Sequence, residues 1–207
     1  MAYGEDYRAA MTGFMDRIDD DTVLANEWHA RLSMPGRERW MNEATGARLV
    51  KGLNMERFRD MVAWSLVDDD PTPSRMVEAV RNPSVMKDAM ARVLNDPTWR
   101  PDPARLTAAD LDLNVLAELG ADKAGVFGLK AFVSWLASDP DRAQICLVAS
   151  PAPDTAYVCI AWCLRQGILP AGRTAAPVTA NVPDLFRPSD RNGLPELRFA
   201  PDMAWPR

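Results

Sequence analysis

The chain has 207 residues, of which 47% are hydrophobic and 26% are charged, a composition that excludes a disordered chain, a collagen-like repeat and a disulfide scaffold. Its formal net charge of -5 disfavours general binding to nucleic acids or anionic membrane surfaces, because both would repel it. Apolar residues recur at a spacing of about 3.6 residues, whereas strand-like alternation persists nowhere. This spacing predicts an all-α fold, an irregular multi-helix bundle of about ten helices.

The first predicted helices follow from apolar stripes and capping residues. One stripe occupies residues 3–18, and the acidic run 19–21 supplies the start of the following helix. Another helix is predicted from about Arg37 to Val50, and it contains Trp40. Asn54 is the predicted N-cap of the helix after that. The inner face of this helix consists of Phe58, Met61, Val62 and Leu66.

Polar residues next to proline predict further helix starts, because proline at the first helical position needs no hydrogen-bond partner for its nitrogen. Thr72-Pro73 and Asn82-Pro83 have this pattern, and further helices are predicted to start at Asp139-Pro140 and Pro153-Asp154. Thr107 and Asp110 resemble a capping box and place another start near Ala108. That helix is expected to stop at Gly120, and Asp122 is expected to open the next one.

The last predicted helix contains residues 156–164, which are apolar on every side. Such a helix is expected to be the central and most buried element of the fold. Ile160 and Trp162 are therefore expected in the core, and replacing Trp162 by Ala is expected to cost about 3–5 kcal/mol. The stretch is shorter than the roughly 20 residues that a membrane span requires.

The distribution of proline predicts the domain organisation. Residues 1–167 are expected to form the helical domain, with a candidate internal boundary at the proline-rich residues 96–103. Residues 168–207 contain seven prolines, and they predict an extended arm that packs on the helical domain through a few apolar residues.

Three cysteines and one histidine are the residues that first suggest metal or thiol chemistry. Cys146, Cys159 and Cys163 lie in apolar surroundings without the knuckle spacing of a zinc site, and His29 would have to be the fourth ligand. Free cysteines are usually small buried hydrophobes. We therefore predict no bound metal, no cofactor and no essential thiol. Reduced thiols and the lack of a recognisable export signal favour a cytoplasmic protein.

No motif identifies an enzyme. Gly120, Gly125 and Gly128 lie in a predicted helical region without the strand that a dinucleotide-binding fingerprint requires, and no phosphate-binding loop is present. The acidic runs 19–21 and 68–70 lack the spacing of a calcium loop, and each precedes a predicted helix, where negative charge is favourable.

Seven tryptophans are the compositional oddity of the chain, because tryptophan is a common anchor of protein interfaces. Most are expected in the core. Trp99 and Trp205 lie in proline-rich segments outside the predicted helices, so they are candidate partner-binding residues together with Phe186 in the arm. Anchoring of these residues within the chain itself is the alternative, and it is favoured for loops.

Residues 132–183 resemble the C-terminal part of an uncharacterised family of bacterial proteins whose genes often lie near type VI secretion components. The shared features are Trp135, Asp139-Pro140 with Arg142, Ala161-Trp162, Gly167 with Leu169-Pro170, and a proline-rich tail. Cys159 and Cys163 occupy positions where the family usually has small residues. The resemblance covers about a quarter of the chain and transfers no catalytic residue.

These observations favour a non-enzymatic helical protein that binds another protein, as an accessory or adaptor component of a bacterial secretion-type assembly. An immunity-type or inhibitor protein is an alternative, because an acidic domain suits the capture of a basic partner. An enzyme with an unrecognised site is the other alternative.

Overall fold

The computed structural model describes residues 20–34 and 40–170, and within them the chain forms nine helices and no strand. The predicted all-α fold is confirmed. Residues 20–32 are helical and are named α1. The other helices are α2 (Glu43–Leu53), α3 (Glu56–Val67), α4 (Pro73–Arg81), α5 (Pro83–Asn95), α6 (Pro103–Glu118), α7 (Lys123–Leu136), α8 (Pro140–Ala149) and α9 (Thr155–Arg165).

Most helix starts have the capping chemistry that the sequence predicts. Proline is the first residue of α4, α5 and α8. Asp122 accepts hydrogen bonds from the backbone nitrogens of Ala124 and Gly125 at the start of α7, and Asp139 accepts one from Arg142 at the start of α8. These side chains satisfy backbone donors that have no partner inside the helix.

Three predicted starts are wrong. α2 begins at Glu43 rather than near Arg37, because Asn42 is the N-cap and its side chain accepts a hydrogen bond from the backbone nitrogen of Thr45. Asn54 closes α2 rather than capping α3. α6 begins at Pro103 rather than Ala108, because Asp102 is its N-cap.

The position of Trp40 is the consequence of this shift in α2. The residue lies before the helix rather than inside it, and 77% of its surface is exposed. The Asn42 cap fixes the first helical residue three positions after Trp40. The N-cap Asn42 therefore determines that the indole ring of Trp40 lies outside α2.

The central helix is α7, and the prediction that the last helix is central is wrong. Ten of the fourteen residues of α7 are buried, and α7 contacts α3, α6, α8 and α9. In α9 only Cys159, Ile160 and Cys163 are buried, whereas Trp162 is partly buried. The prediction for Ile160 is confirmed, and Trp162 is less buried than expected.

Helix α9 runs in the same direction as α7. Its start lies beside Gly128 of α7, because a Cβ atom at Gly128 would come within 2.3 Å of Asp154. Beyond its end, the backbone carbonyl of Ile168 accepts a hydrogen bond from Trp135 Nε1 at 2.8 Å. These two contacts fix both ends of α9 along the central helix.

One hydrophobic cluster joins the described helices. Its buried members include Trp28 of α1, Phe58 of α3 and Leu113 of α6, and it continues to Ile168. Residues on both sides of the segment 96–103 therefore contribute to the same core. The predicted arm lies outside the described residues beyond residue 170, as does the apolar stripe of residues 3–18.

Candidate functional site

Trp99 is buried and is held by the protein's own chain. Only 5% of its surface is exposed, and its Nε1 donates a hydrogen bond to the backbone carbonyl of Val67 at 3.3 Å. Trp99 thus shows the intramolecular anchoring that was the alternative to partner contact. Phe186 and Trp205, the other two predicted partner-binding residues, lie outside the described residues.

The C-terminal end of α3, where Trp99 binds, is surrounded by arginines. Arg92 donates to the carbonyl of Val67 at 2.8 Å, and Arg105 donates to the carbonyl of Asp68 at 2.5 Å. Arg75 donates to the carboxylate of Asp68 at 2.8 Å. Positive charge is favourable at a helix C-terminus, where carbonyls lack partners. The acidic run 68–70 therefore acts in closing α3 as well as in preceding α4.

Trp40 is the exposed tryptophan among those in the described residues. Met34 is 40% exposed and Leu119 is 53% exposed. Met41 follows Trp40 in the chain, and both Met41 and Leu119 flank Gly46 of α2. We refer to Met34, Trp40, Met41 and Leu119 as the Trp40 patch. The apolar spacing predicts Trp40 inside a helix and so does not indicate this patch, although Asn42 is a signal for a later helix start.

A buried ion pair supports the backbone of the Trp40 patch. The guanidinium of Arg31 donates from Nε to Asp112 at 3.0 Å and from Nη2 to Asp112 at 2.5 Å. Its Nη1 donates to the backbone carbonyl of Trp40 at 2.7 Å and lies 3.5 Å from the sulfur of Met34. The two charged side chains are almost completely buried. Arg31 therefore links the core of the bundle to the chain that presents Trp40.

The single histidine and the three cysteines have structural surroundings. His29 donates from Nδ1 to the carbonyl of Pro71 at 2.9 Å, which ties α1 to the loop before α4. The thiols of Cys146, Cys159 and Cys163 are buried and unbonded to one another. Burial raises the pKa of all three, that of Cys163 to about 12, so these thiols are protonated at neutral pH.

Four charged residues form the junction between α3 and the start of α9. Thr155 Oγ1 donates to Glu56 at 2.5 Å, and Arg59 Nε lies 3.3 Å from a carboxylate oxygen of Asp154. Asp60 lines a small cavity at this junction together with Glu56, Arg59 and Asp154. We refer to Glu56, Arg59, Asp60 and Asp154 as the acidic junction. No sequence motif indicates the acidic junction, because Asp154 is distant in the chain from the other three residues.

Two glycines of α7 make room for the acidic junction. A Cβ atom at Gly125 would lie 2.6 Å from Cδ of Arg59, and one at Gly128 would lie 2.3 Å from Oδ1 of Asp154. Both distances are shorter than a normal contact. The glycines that suggested a dinucleotide fingerprint thus have a packing role, which allows an ion pair to fit against the central helix.

Two small cavities lie among the described residues. The one at the acidic junction has about 20 Å³, which is room for one water molecule, and Met86, Met90 and Phe132 form much of its wall. A more polar depression of about 190 Å³ lies between Trp99 and the end of α3. Pockets that enclose a small organic ligand usually have about 300 Å³ or more.

Metal binding, membrane insertion and similarity to known proteins were the remaining sources of functional information. In the part of the chain that the structure describes, no group of three or more histidine, cysteine or acidic side chains has the geometry of a metal site. The helices of that part are all too short or too polar to cross a bilayer. No protein-family model, curated protein or solved structure matches the chain.

Proposed function

We propose that this protein is a protein–protein interaction module and that the Trp40 patch is its contact surface. The observation that carries the proposal is the exposure of Trp40, 77%, on a backbone held by a buried ion pair. An exposed tryptophan is costly in water and gains a large contact area when a partner covers it. Met34 and Leu119 are also exposed apolar side chains, and a partner that covers them together with Trp40 gains more apolar contact than one ring provides.

The buried ion pair supports this function through preorganisation. Desolvation makes a buried Arg–Asp pair a weak source of stability, and in some proteins such a pair serves conformational specificity instead. Here Arg31 also donates to the carbonyl of Trp40. A ring presented on a fixed backbone loses less conformational entropy on binding than a ring on a loose loop.

The nature of the partner separates two forms of this function. The resemblance of residues 132–183 to a family encoded near secretion components favours an accessory or adaptor protein. The net charge of -5 favours an immunity-type or inhibitor protein, because an acidic chain attracts a basic partner. A stoichiometric partner with a strongly basic surface would favour the second form.

The test compares two exposed apolar side chains in different places. Trp40→Ser removes the proposed anchor, and Val148→Ser is the matched control, because Val148 on α8 is also 77% exposed. The partner is first isolated by co-purification with the tagged full chain and then titrated against each purified variant. We expect Trp40→Ser to weaken binding by about thirtyfold, the usual effect of an interface hot spot.

Thermal unfolding of both variants is expected to remain close to that of the parent protein, since surface substitutions usually change stability by about 0.5 kcal/mol or less. Equal affinity of Trp40→Ser and the parent protein would refute the proposal. A loss of affinity in Val148→Ser as large as that in Trp40→Ser would also refute it, because the effect would then not belong to the Trp40 patch.

A further inference from the structure

Helix α8 has an outer face that is apolar and exposed. Ile145 and Val148 lie one turn apart on it, and 68% and 77% of their surfaces are exposed. Ala149 and the loop residues 151–153 are exposed as well, and no residue between 143 and 153 carries a charge. We refer to Ile145, Val148, Ala149 and residues 151–153 as the α8 face. Apolar side chains that lie together on a surface often mark a contact site.

The α8 face is too small to hold a separate molecule by itself. A standard interface buries about 800 Å² on each partner, and its anchors are usually aromatic side chains or arginine. All six residues of the α8 face are instead aliphatic residues or proline, and the largest of them is Ile145. An occupant tethered to the protein fits such a face better, because a short flexible tether gives an effective concentration on the order of millimolar. A weak contact is then enough.

The described part of the chain ends near the start of α8. Helix α8 runs opposite to α7 and α9, because it begins where α7 ends and is followed by the start of α9. The end of α9 therefore lies at the same end of the bundle as the start of α8. There Trp135 donates to the carbonyl of Ile168 at 2.8 Å, and Pro170 is buried. The chain beyond Pro170 thus starts beside α8.

The first segment after Pro170 with large apolar side chains is residues 178–186. These side chains are Val178, Val182, Leu185 and Phe186. Residues 171–177 connect the segment to the bundle, and fully extended they span up to about 25 Å. Helix α8 has ten residues and is about 15 Å long, so the segment can reach the whole α8 face. Segments farther along the chain reach it at a higher entropic cost of loop closure.

We propose that residues 178–186 cover the α8 face of the same molecule, with Leu185 and Phe186 as the anchors. This gives the predicted arm its site on the bundle. Prolines in and next to the segment limit its conformations before it docks, so ordering it costs less entropy. The contact is intramolecular and goes beyond the proposed function, because it does not involve the Trp40 patch. Val148→Ser therefore loosens the segment but leaves the affinity of the Trp40 patch for its partner unchanged.

Photo-crosslinking from the α8 face tests the proposal on the full chain. Ile145 is replaced by the photoreactive residue benzoylphenylalanine, and Val23 of α1, which is 45% exposed, is replaced in the same way as a control. Unlabelled and nitrogen-15-labelled chains are mixed in equal amounts at low micromolar concentration and irradiated, and the linked peptides are identified by mass spectrometry. We expect position 145 to link to residues 178–186 of its own chain, without mixed isotopes, and position 23 not to link to them.

Two substitutions of phenylalanine show which part of the arm holds the contact. Phe186→Ser is expected to lower the yield of the link from position 145 by roughly fivefold, because it removes the largest apolar side chain of the segment. Phe199→Ser makes the same change farther along the arm and is expected to leave the yield unchanged. Hydroxyl-radical footprinting is a second readout that keeps Ile145 and Val148 in place. Their oxidation is expected to rise in Phe186→Ser and not in Phe199→Ser.

Three results would overturn the proposal. One is a link from position 145 to residues other than 178–186, no link at all, or an equally strong link of residues 178–186 to position 23. Another is a linked pair of peptides with mixed isotopes, which would show that a second copy of the chain covers the α8 face. The third is that Phe186→Ser and the parent chain have the same yield of the link and the same oxidation of the α8 face.

Discussion

Helices α7 and α9 have opposite relations between sequence and burial. α9 is apolar on every side between residues 156 and 164, yet it buries only three residues. α7 contains two glycines, two lysines and a serine, and it is the central helix of the bundle. The lack of a polar side in residues 156–164 therefore ranks these two helices in the wrong order. Closeness of packing, which depends on small side chains, ranks them correctly.

The small residues of α7 explain its position. Gly125, Gly128 and Ala131 follow one another at intervals of three residues on the helix. Gly125 lets Arg59 of α3 approach the backbone of α7, and Gly128 lets Asp154 at the start of α9 do the same. A helix that several neighbours approach closely becomes central, whereas α9 contacts chiefly α7 and α8.

A matched pair of tryptophans gives the largest expected difference between the two helices. Trp135 of α7 is fully buried, stacks on Phe132 and donates to the carbonyl of Ile168. We expect Trp135→Ala to lower the free energy of unfolding by about 4–5 kcal/mol, through the cavity and the lost hydrogen bond. For Trp162→Ala we expect about 1–2 kcal/mol, because that ring is only partly buried.

Urea denaturation followed by far-ultraviolet circular dichroism measures both values. A Trp135→Phe variant keeps most of the apolar volume and isolates the hydrogen bond to Ile168, with an expected loss of about 1–2 kcal/mol. If Trp162→Ala costs as much as Trp135→Ala, α9 contributes to the core as the sequence alone predicted, and the contrast between the helices is wrong.

A glycine-to-alanine pair tests whether small residues make α7 central. Gly128→Ala places a methyl group against the carboxylate of Asp154, which its hydrogen bond to Tyr157 prevents from moving away. We expect it to lower the free energy of unfolding by about 2–3 kcal/mol. Gly46→Ala in α2 is the control, because the nearest atom there is the tip of the exposed side chain of Leu119.

Leu119 can rotate away, so Gly46→Ala is expected to be neutral or to stabilise the protein by up to about 1 kcal/mol through higher helix propensity. The same urea titration compares the two variants. A Gly128→Ala variant as stable as the parent protein would show that the close approach to Asp154 is not needed for folding.

The sequence predicted the secondary structure well where local chemistry determines it. Thr72-Pro73, Asn82-Pro83 and Asp139-Pro140 mark helix starts because proline acts within one turn, and the side chains of Asn82 and Asp139 also cap their helices. The sequence contains two start signals for α6. The helix begins at Asp102-Pro103 and not at the predicted capping box of Thr107 and Asp110. The position of each helix in the bundle could not be predicted, because it depends on contacts between residues far apart in the chain.

For the candidate sites too, local features could be predicted from the sequence and contacts between distant residues could not. The exposure of Trp40 depended on the local Asn42 cap, so the sequence contained the signal for it. The ion pair between Arg31 and Asp112 joins residues 81 positions apart, and the contact of Thr155 with Glu56 joins residues 99 positions apart. Neither pair has a spacing that a sequence pattern reveals. The residues of the acidic junction come together because α3 and α9 both pack against α7.

The turn between α7 and α8 brings the chain back along the central helix, and it contains the one residue other than glycine with a positive φ in the described residues. Ser138 has φ 59°. Its nitrogen donates to the carbonyl of Trp135, and the nitrogen of Asp139 donates to the carbonyl of Ser134, which together close the end of α7. Glycine is the usual residue at this position.

The smallest expected effect comes from relieving this conformation. Ser138→Gly removes the clash of a side chain in the left-handed region and a buried hydroxyl that has no hydrogen-bond partner among the described residues. We expect it to raise the free energy of unfolding by about 0.5–1 kcal/mol, measured as a higher urea midpoint. Ala137→Gly is the control: its φ is -72°, so glycine there only adds freedom to the unfolded chain and is expected to destabilise by about 0.5–1 kcal/mol. Changes of the same sign in both variants would mean that the left-handed conformation of Ser138 does not lower the stability of the protein.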